Sequence, residues 1–239
     1  MMRGVSTSLD MTKATDKIIV ALDVGSKKEA LDLVAQLHGE ISIFKIGLQL
    51  FTAAGPESVR AVLATGAKIF LDLKLHDIPN TVAGAVTAAG QLGATMLTLH
   101  LTGGRDMLDA AVAAKTVGLE LLGVTALTSM DSKTLLETGI HSSIEEQVQR
   151  LADMAAATGL DGVVASPHEI KALRARFGDK LKIVTPGVRP SWAEPDDQKR
   201  FTTPREALQN GADYLVIGRP ITAHEDPREA VRKILAELS

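Results

Sequence analysis

The sequence predicts an α/β protein built as a single-domain (β/α)8 barrel of the TIM type, and three observations carry that prediction. Eight short, near-continuously apolar runs recur along the 239 residues, segments of helical composition separate them, and the two longest connections each follow directly on a run. Parallel strands roofed by helices are buried on both faces. They therefore read as unbroken Val, Ile and Leu, whereas half-exposed strands alternate with polar residues.

The runs are residues 18–22, 42–46, 68–73, 95–99, 121–125, 162–165, 182–185 and 214–217. Between them, residues 27–37, 58–64, 82–92, 106–117, 144–158 and 167–177 are rich in Ala, Leu, Glu and Lys. Glycines such as Gly93 and Gly159 stand where helix stops belong. An alternation repeated eight times favours a closed barrel over an open doubly wound sheet. Connections 126–143 and 187–202 fall on the C-terminal face, where barrel active sites assemble. The second holds Pro190, Pro195, Asp196, Asp197, Lys199 and Arg200, the polar composition of a lid.

Composition narrows the function. At 45% hydrophobic and 23% charged residues, the chain supplies a sizeable core. A formal net charge of −3 gives no footprint for nucleic acid or an anionic membrane, while leaving room for a local phosphate pocket. The absence of cysteine excludes disulfides, thiolate metal sites and a cysteine nucleophile, and suits a reducing compartment. Residues 1–16 carry Arg3, Asp10 and Lys13 and no apolar stretch, so they read as a flexible extension ahead of a catalytic domain at 17–239. No run reaches the ~18 apolar residues of a membrane span. A soluble, cytoplasmic protein is the expectation.

The chemistry is concentrated in Leu71-Asp72-Leu73-Lys74-Leu75-His76-Asp77-Ile78-Pro79-Asn80-Thr81. Strand periodicity sends Leu71 and Leu73 outward under the helices and Asp72 and Lys74 inward. Charges inside a barrel are costly unless paired, and Lys74, between Asp72 and Asp77, is expected to stay protonated. A purely structural ion pair is replaceable by apolar residues at little loss, so its place at the functional end of the third strand favours a chemical role.

After the eighth run, Gly218-Arg219-Pro220 combines close backbone approach, a cation and a proline suited to a first helical turn, which together make an anion site. Thr185-Pro186-Gly187-Val188-Arg189 ends the seventh run, and Arg189 with Gln198 offers further donors to a phosphate. Asp23 follows the first run, either as a functional acid or as a cap for the next helix. Lys45 lies near the end of the second. His100 and His76 lack a partner at metal-ligand spacing and read as hydrogen-bonded core histidines. No dinucleotide fingerprint, Walker loop or nucleophile elbow is present.

These motifs in this order, from Ala21-Leu22-Asp23 through Asp72 to Thr81 and on to Ile217-Gly218-Arg219-Pro220, closely resemble the bacterial orotidine 5′-phosphate decarboxylases over nearly the whole chain. The resemblance implies conversion of orotidine 5′-phosphate to uridine 5′-phosphate and CO2 in de novo pyrimidine synthesis, without metal or organic cofactor. It implies Lys74 as proton donor to C6, flanked by Asp72 and by Asp77, the latter supplied with Thr81 by the partner in a homodimer. Asp23 and Lys45 then hold the ribose, Thr128 and Ser129 meet the pyrimidine, Arg189, Gln198, Gly218 and Arg219 hold the phosphate, and Pro186 also binds substrate. Two alternatives stand beside it: a Mg²⁺-dependent sugar-phosphate decarboxylase or synthase of the same barrel group, and a non-catalytic nucleotide-binding barrel. The Mg²⁺ enzymes carry a carboxylate near the end of the second strand, where this chain has Lys45.

Overall fold

Each apolar run forms a strand. In the computed structural model, which describes residues 14–193 and 202–238, they are β1 (Ile18–Ala21), β2 (Ile43–Gly47), β3 (Lys68–Leu75), β4 (Met96–His100), β5 (Glu120–Val124), β6 (Gly162–Val164), β7 (Lys182–Pro186) and β8 (Tyr214–Ile217). All neighbours pair in parallel, and β8 pairs with β1 to close the barrel in sequence order. The expected TIM-type architecture is present.

The connecting helices follow local signals. Ser143 caps the helix Ile144–Thr158, with Glu146 bonding back to the cap nitrogen in a reciprocal box. That helix stops at Gly159, which takes φ 82°, a conformation that side chains with a Cβ resist. Pro79 opens the helix Pro79–Leu92 at the first turn, where a missing N–H costs nothing. Helices beyond the segments named from the sequence include Leu48–Ala54, which follows β2 directly, Ser132–Glu137, inside the connection after β5, and Pro204–Gln209 and Pro227–Leu238, on either side of β8. Among the described residues no helix is long and apolar enough to cross a membrane.

Strand alternation divides the core into two parts. Ile19, Ala21, Ile43, Phe70, Met96, Leu122, Val184 and Val216 form an inner cluster that fills the barrel. Ile18, Val20, Ile69 and Leu71 belong to the outer layer, packed with helix residues such as Val34, Val59, Val86 and Val231. Phe70 is 1% exposed in that inner cluster, and replacing it with Ala removes packing worth about 3–5 kcal/mol. Of the expected extension, residues 1–13 lie outside the described residues. Ala14 is buried in the outer core and Asp16 Oδ1 accepts from the Ser42 hydroxyl at 3.3 Å, so residues 14–16 pack with the barrel.

Candidate active site

Four alternating charges stand at the C-terminal ends of the first three strands. Asp23 follows β1, Lys45 lies in β2, and Asp72 and Lys74 lie in β3. Lys45 Nζ donates to Asp23 Oδ1 at 3.0 Å and lies 3.6 Å from Asp72 Oδ2. Lys74 Nζ donates to Asp72 Oδ1 at 2.8 Å and to Oδ2 at 2.9 Å. The Asp72 and Lys45 side chains are only 12% and 11% exposed, whereas that of Asp23 is 54% exposed. The array therefore runs from solvent into the barrel, each acid answered by a base.

Burial alone pushes the Asp72 carboxyl up, but the charges of Lys45 and Lys74 and hydrogen bonds from Lys74 and Thr98 outweigh it. The net result holds the carboxyl below its ordinary value, so it is ionised at neutral pH. Asp23 does not cap the following helix. Ser26 does, accepting from Glu29 N, which leaves the Asp23 carboxylate to Lys45.

Lys74 has φ 51°, the one positive φ outside glycine among the described residues. A side chain on that half of the map costs roughly 1–3 kcal/mol and persists only where its surroundings impose it. Here the cause is a break in register: Leu71 pairs with Leu97 and Leu75 with Leu99, so residues 72, 73 and 74 all lie opposite Thr98. The simple two-residue period expected for this strand ends at that irregularity. Lys74 still meets Asp72, by reaching back from a twisted backbone rather than by standing beside it on a regular strand.

The loops above β5 to β8 border an open cavity of about 860 Å³, whose lining includes Thr128, Ser129, Ser166, His168, Gly187 and Arg219. Thr128, Ser129 and Arg219 were expected at the site, and the cavity brings them together. Ser166 and His168, on the loop after β6, were not singled out from the sequence, where a lone Ser-Pro-His carries no distinctive spacing. Gly218, next to Arg219 in the chain, lies beside the array, because a Cβ there would stand 3.6 Å from Ala21 Cβ and 3.8 Å from Asp23 Oδ2. Pro220 sits in the short helix Arg219–Thr222, as its first-turn geometry requires. Pro186 ends β7, and Arg189 is 8% exposed beyond it. Val188 bridges Thr202, and Arg189 N donates to Thr202 O at 3.1 Å, which pins both ends of that connection. Gln198 lies outside the described residues.

Asp77 and Thr81 are exposed, and the described ion pairs join Lys74 to Asp72 and not to Asp77. Asp77 Oδ1 instead accepts from Ile78 N at 2.6 Å. The histidines also differ from expectation. His100 is half-buried, His76 is exposed, and their rings meet at 5.5 Å rather than sitting hydrogen-bonded in the core. Both lie beyond the inner cluster, at the mouth. Burial, with His76 and Lys74 nearby, holds His100 below its ordinary value against the opposing pull of Asp72, so its imidazole is neutral at neutral pH. Thr98, fully buried and bonded to both Asp72 and Lys74, was missed. A polar residue at an inward position on β4, two beyond Met96, was the available signal.

A parallel barrel with a mostly buried array of paired charges at its C-terminal mouth has the layout of a TIM-barrel enzyme, whose active sites assemble at that end. Comparison with known proteins makes this specific. The chain belongs to the Orotidine 5′-phosphate decarboxylase / HUMPS family, whose model matches residues 16–234. An orotidine 5′-phosphate decarboxylase of Moorella thermoacetica is 52% identical over 234 residues, covering 94% of this chain and 93% of the relative. One from Syntrophotalea carbinolica is 48% identical, covering 96% and 97%. The crystal structure of orotidine 5′-phosphate decarboxylase from Lactobacillus acidophilus superposes with a TM-score of 0.82 at 37% identity, covering 94% of this chain and 99% of that one.

Proposed function

We propose that this decarboxylase of pyrimidine biosynthesis, which converts orotidine 5′-phosphate to uridine 5′-phosphate and CO2, uses Lys74 as the proton donor to C6. The observation that carries the reading is the Lys74 ammonium held 2.8 Å from a carboxylate that is itself kept ionised. Breaking the bond from C6 to the carboxyl carbon releases CO2 and leaves the electron pair on C6. An ammonium fixed at that carbon stabilises the developing charge and then transfers a proton to it, leaving a neutral amine that solvent reprotonates. Stabilisation of the carbanion is the larger contribution, and repulsion between Asp72 and the substrate carboxylate the smaller.

In this reading Asp23 and Lys45 hold the ribose hydroxyls and Thr128 and Ser129 meet the pyrimidine. Arg189, Gln198, Gly218 and Arg219 take the phosphate, and Pro186 also lines the substrate site. The phosphate is remote from the bond that breaks, so its grip supplies binding energy that aligns the ring. The enzyme works as a cytoplasmic homodimer, with Asp77 and Thr81 serving the partner's site; the exposure of both, beside an Ile78 that is 66% exposed, supports this. Neither metal nor organic cofactor takes part. Lys45 places an ammonium between Asp23 and Asp72, where a divalent ion would meet a like charge. The test is loss of orotate absorbance from orotidine 5′-phosphate with and without excess chelator. Equal rates are expected, and a rate abolished by chelator and restored by Mg²⁺ would overturn the reading.

A further inference from the structure

We propose that Thr98 is a positioning residue for decarboxylation: its single hydroxyl fixes both the Asp72 carboxylate and the backbone of Lys74, and so sets where the Lys74 ammonium stands. The inference rests on the reading of Lys74 as proton donor.

The hydrogen-bond chemistry leaves one arrangement. Lys74 N–H can only donate, and it lies 2.9 Å from Thr98 Oγ1, so it occupies a lone pair of that oxygen. An ionised carboxylate can only accept, and Asp72 Oδ1 lies 2.9 Å from the same oxygen, so the hydroxyl proton points to Asp72. Thr98 is 0% exposed, which keeps water from replacing either bond. Asp72 Oδ1 is also the oxygen that accepts from Lys74 Nζ, so hydroxyl, carboxylate, ammonium and backbone amide close a ring through one residue's main chain and side chain.

The backbone explains why such a tether matters. Residues 72–74 bulge against Thr98 alone, and Lys74 is held at φ 51° there. Without the hydroxyl, Lys74 N–H loses its partner and the backbone is free to relax toward an ordinary φ. Rotation at that residue swings the whole lysine side chain. A donor displaced by about 1 Å from the reacting carbon loses on the order of 100-fold in rate.

The experiment compares Thr98→Val, which keeps the shape and removes the hydroxyl, with Thr98→Ser, which keeps the hydroxyl. Thr98→Val is expected to lower kcat roughly 10- to 100-fold with the KM for orotidine 5′-phosphate nearly unchanged, and Thr98→Ser to restore most of the turnover. Should Thr98→Val fail to fold by circular dichroism, Thr98→Ala takes its place in the same comparison. Wild-type kcat without the hydroxyl, a change in KM alone, or a Thr98→Ser variant as slow as Thr98→Val overturns the proposal. Lys74→Ala, measured alongside, separates the two readings. If it is inactive while Thr98→Val is normal, only the role of Thr98 falls; if it turns over normally, the role of Lys74 falls as well.

Discussion

The ammonium of Lys74 lies 2.8 and 2.9 Å from the two carboxylate oxygens of Asp72, a residue only two positions away in the same strand. A lysine and an aspartate so close in sequence usually point the same way from a regular strand, yet here the lysine arrives through a left-handed backbone. Lys74→Ala removes the ammonium and relieves that backbone less than Gly would, so the barrel is expected to fold. The variant should still bind uridine 5′-phosphate, while its turnover of orotidine 5′-phosphate falls at least ~10³-fold, as loss of a combined acid and fixed charge implies. Loss of the orotate absorbance checks the rate, and calorimetry checks the binding.

Asp72 supplies a pH dependence with a definite sign. Its folded carboxyl sits below its unfolded value, so it contributes stability above the unfolded value that disappears as pH falls through the folded one. Thermal melting of the wild type between neutral and acid pH should therefore show a loss that Asp72→Asn lacks. Parallel curves for the two proteins would rule out the contribution.

Gly47 pairs with Asp72 across β2 and β3, and a Cβ there would stand 2.9 Å from Lys45 Nζ and 3.4 Å from Asp23 Oδ1. Lys45 is held by two carboxylates and has little freedom to retreat. Gly47→Ala is thus expected to displace the ammonium, raising the KM for orotidine 5′-phosphate with little change in melting temperature. Steady-state kinetics beside a melting curve tests this, and an unchanged KM would count against it.

If the site takes Asp77 from the partner, as proposed, inactive variants become complementary. Lys74→Ala and Asp77→Asn homodimers should each be impaired, but mixed dimers contain one site with both native residues. Random exchange should then restore roughly a quarter of the wild-type rate, because half the dimers are mixed and each holds one intact site. Activity that stays at the level of the separate variants after subunit exchange would exclude the shared site.

The barrel was legible in the sequence because parallel strands write themselves as apolar runs, and all eight runs became strands with ends shifted by a residue or two. Helix Leu48–Ala54 was hidden because the apolar stretch of β2 continues past Gly47 into it. At the site, Asp72 and Lys74 were readable as inward charges, since burying them otherwise has no rationale. Their true geometry was not, because a register break depends on how β3 meets β4, and a period of two carries no information about that. Thr98 escaped for a related reason. Threonine suits any strand, so its hydroxyl gains meaning only once Asp72 and Lys74 are seen on the next one.

The inner cluster around Phe70, Met96 and Val184 turns the barrel into a cup with a closed base. Among the described residues its mouth is bordered by Thr128, Gly187 and Arg219, and under the proposed function substrate, nucleotide product and CO2 all pass there. A bulky group placed at that rim slows entry and exit together, without touching the atoms that react.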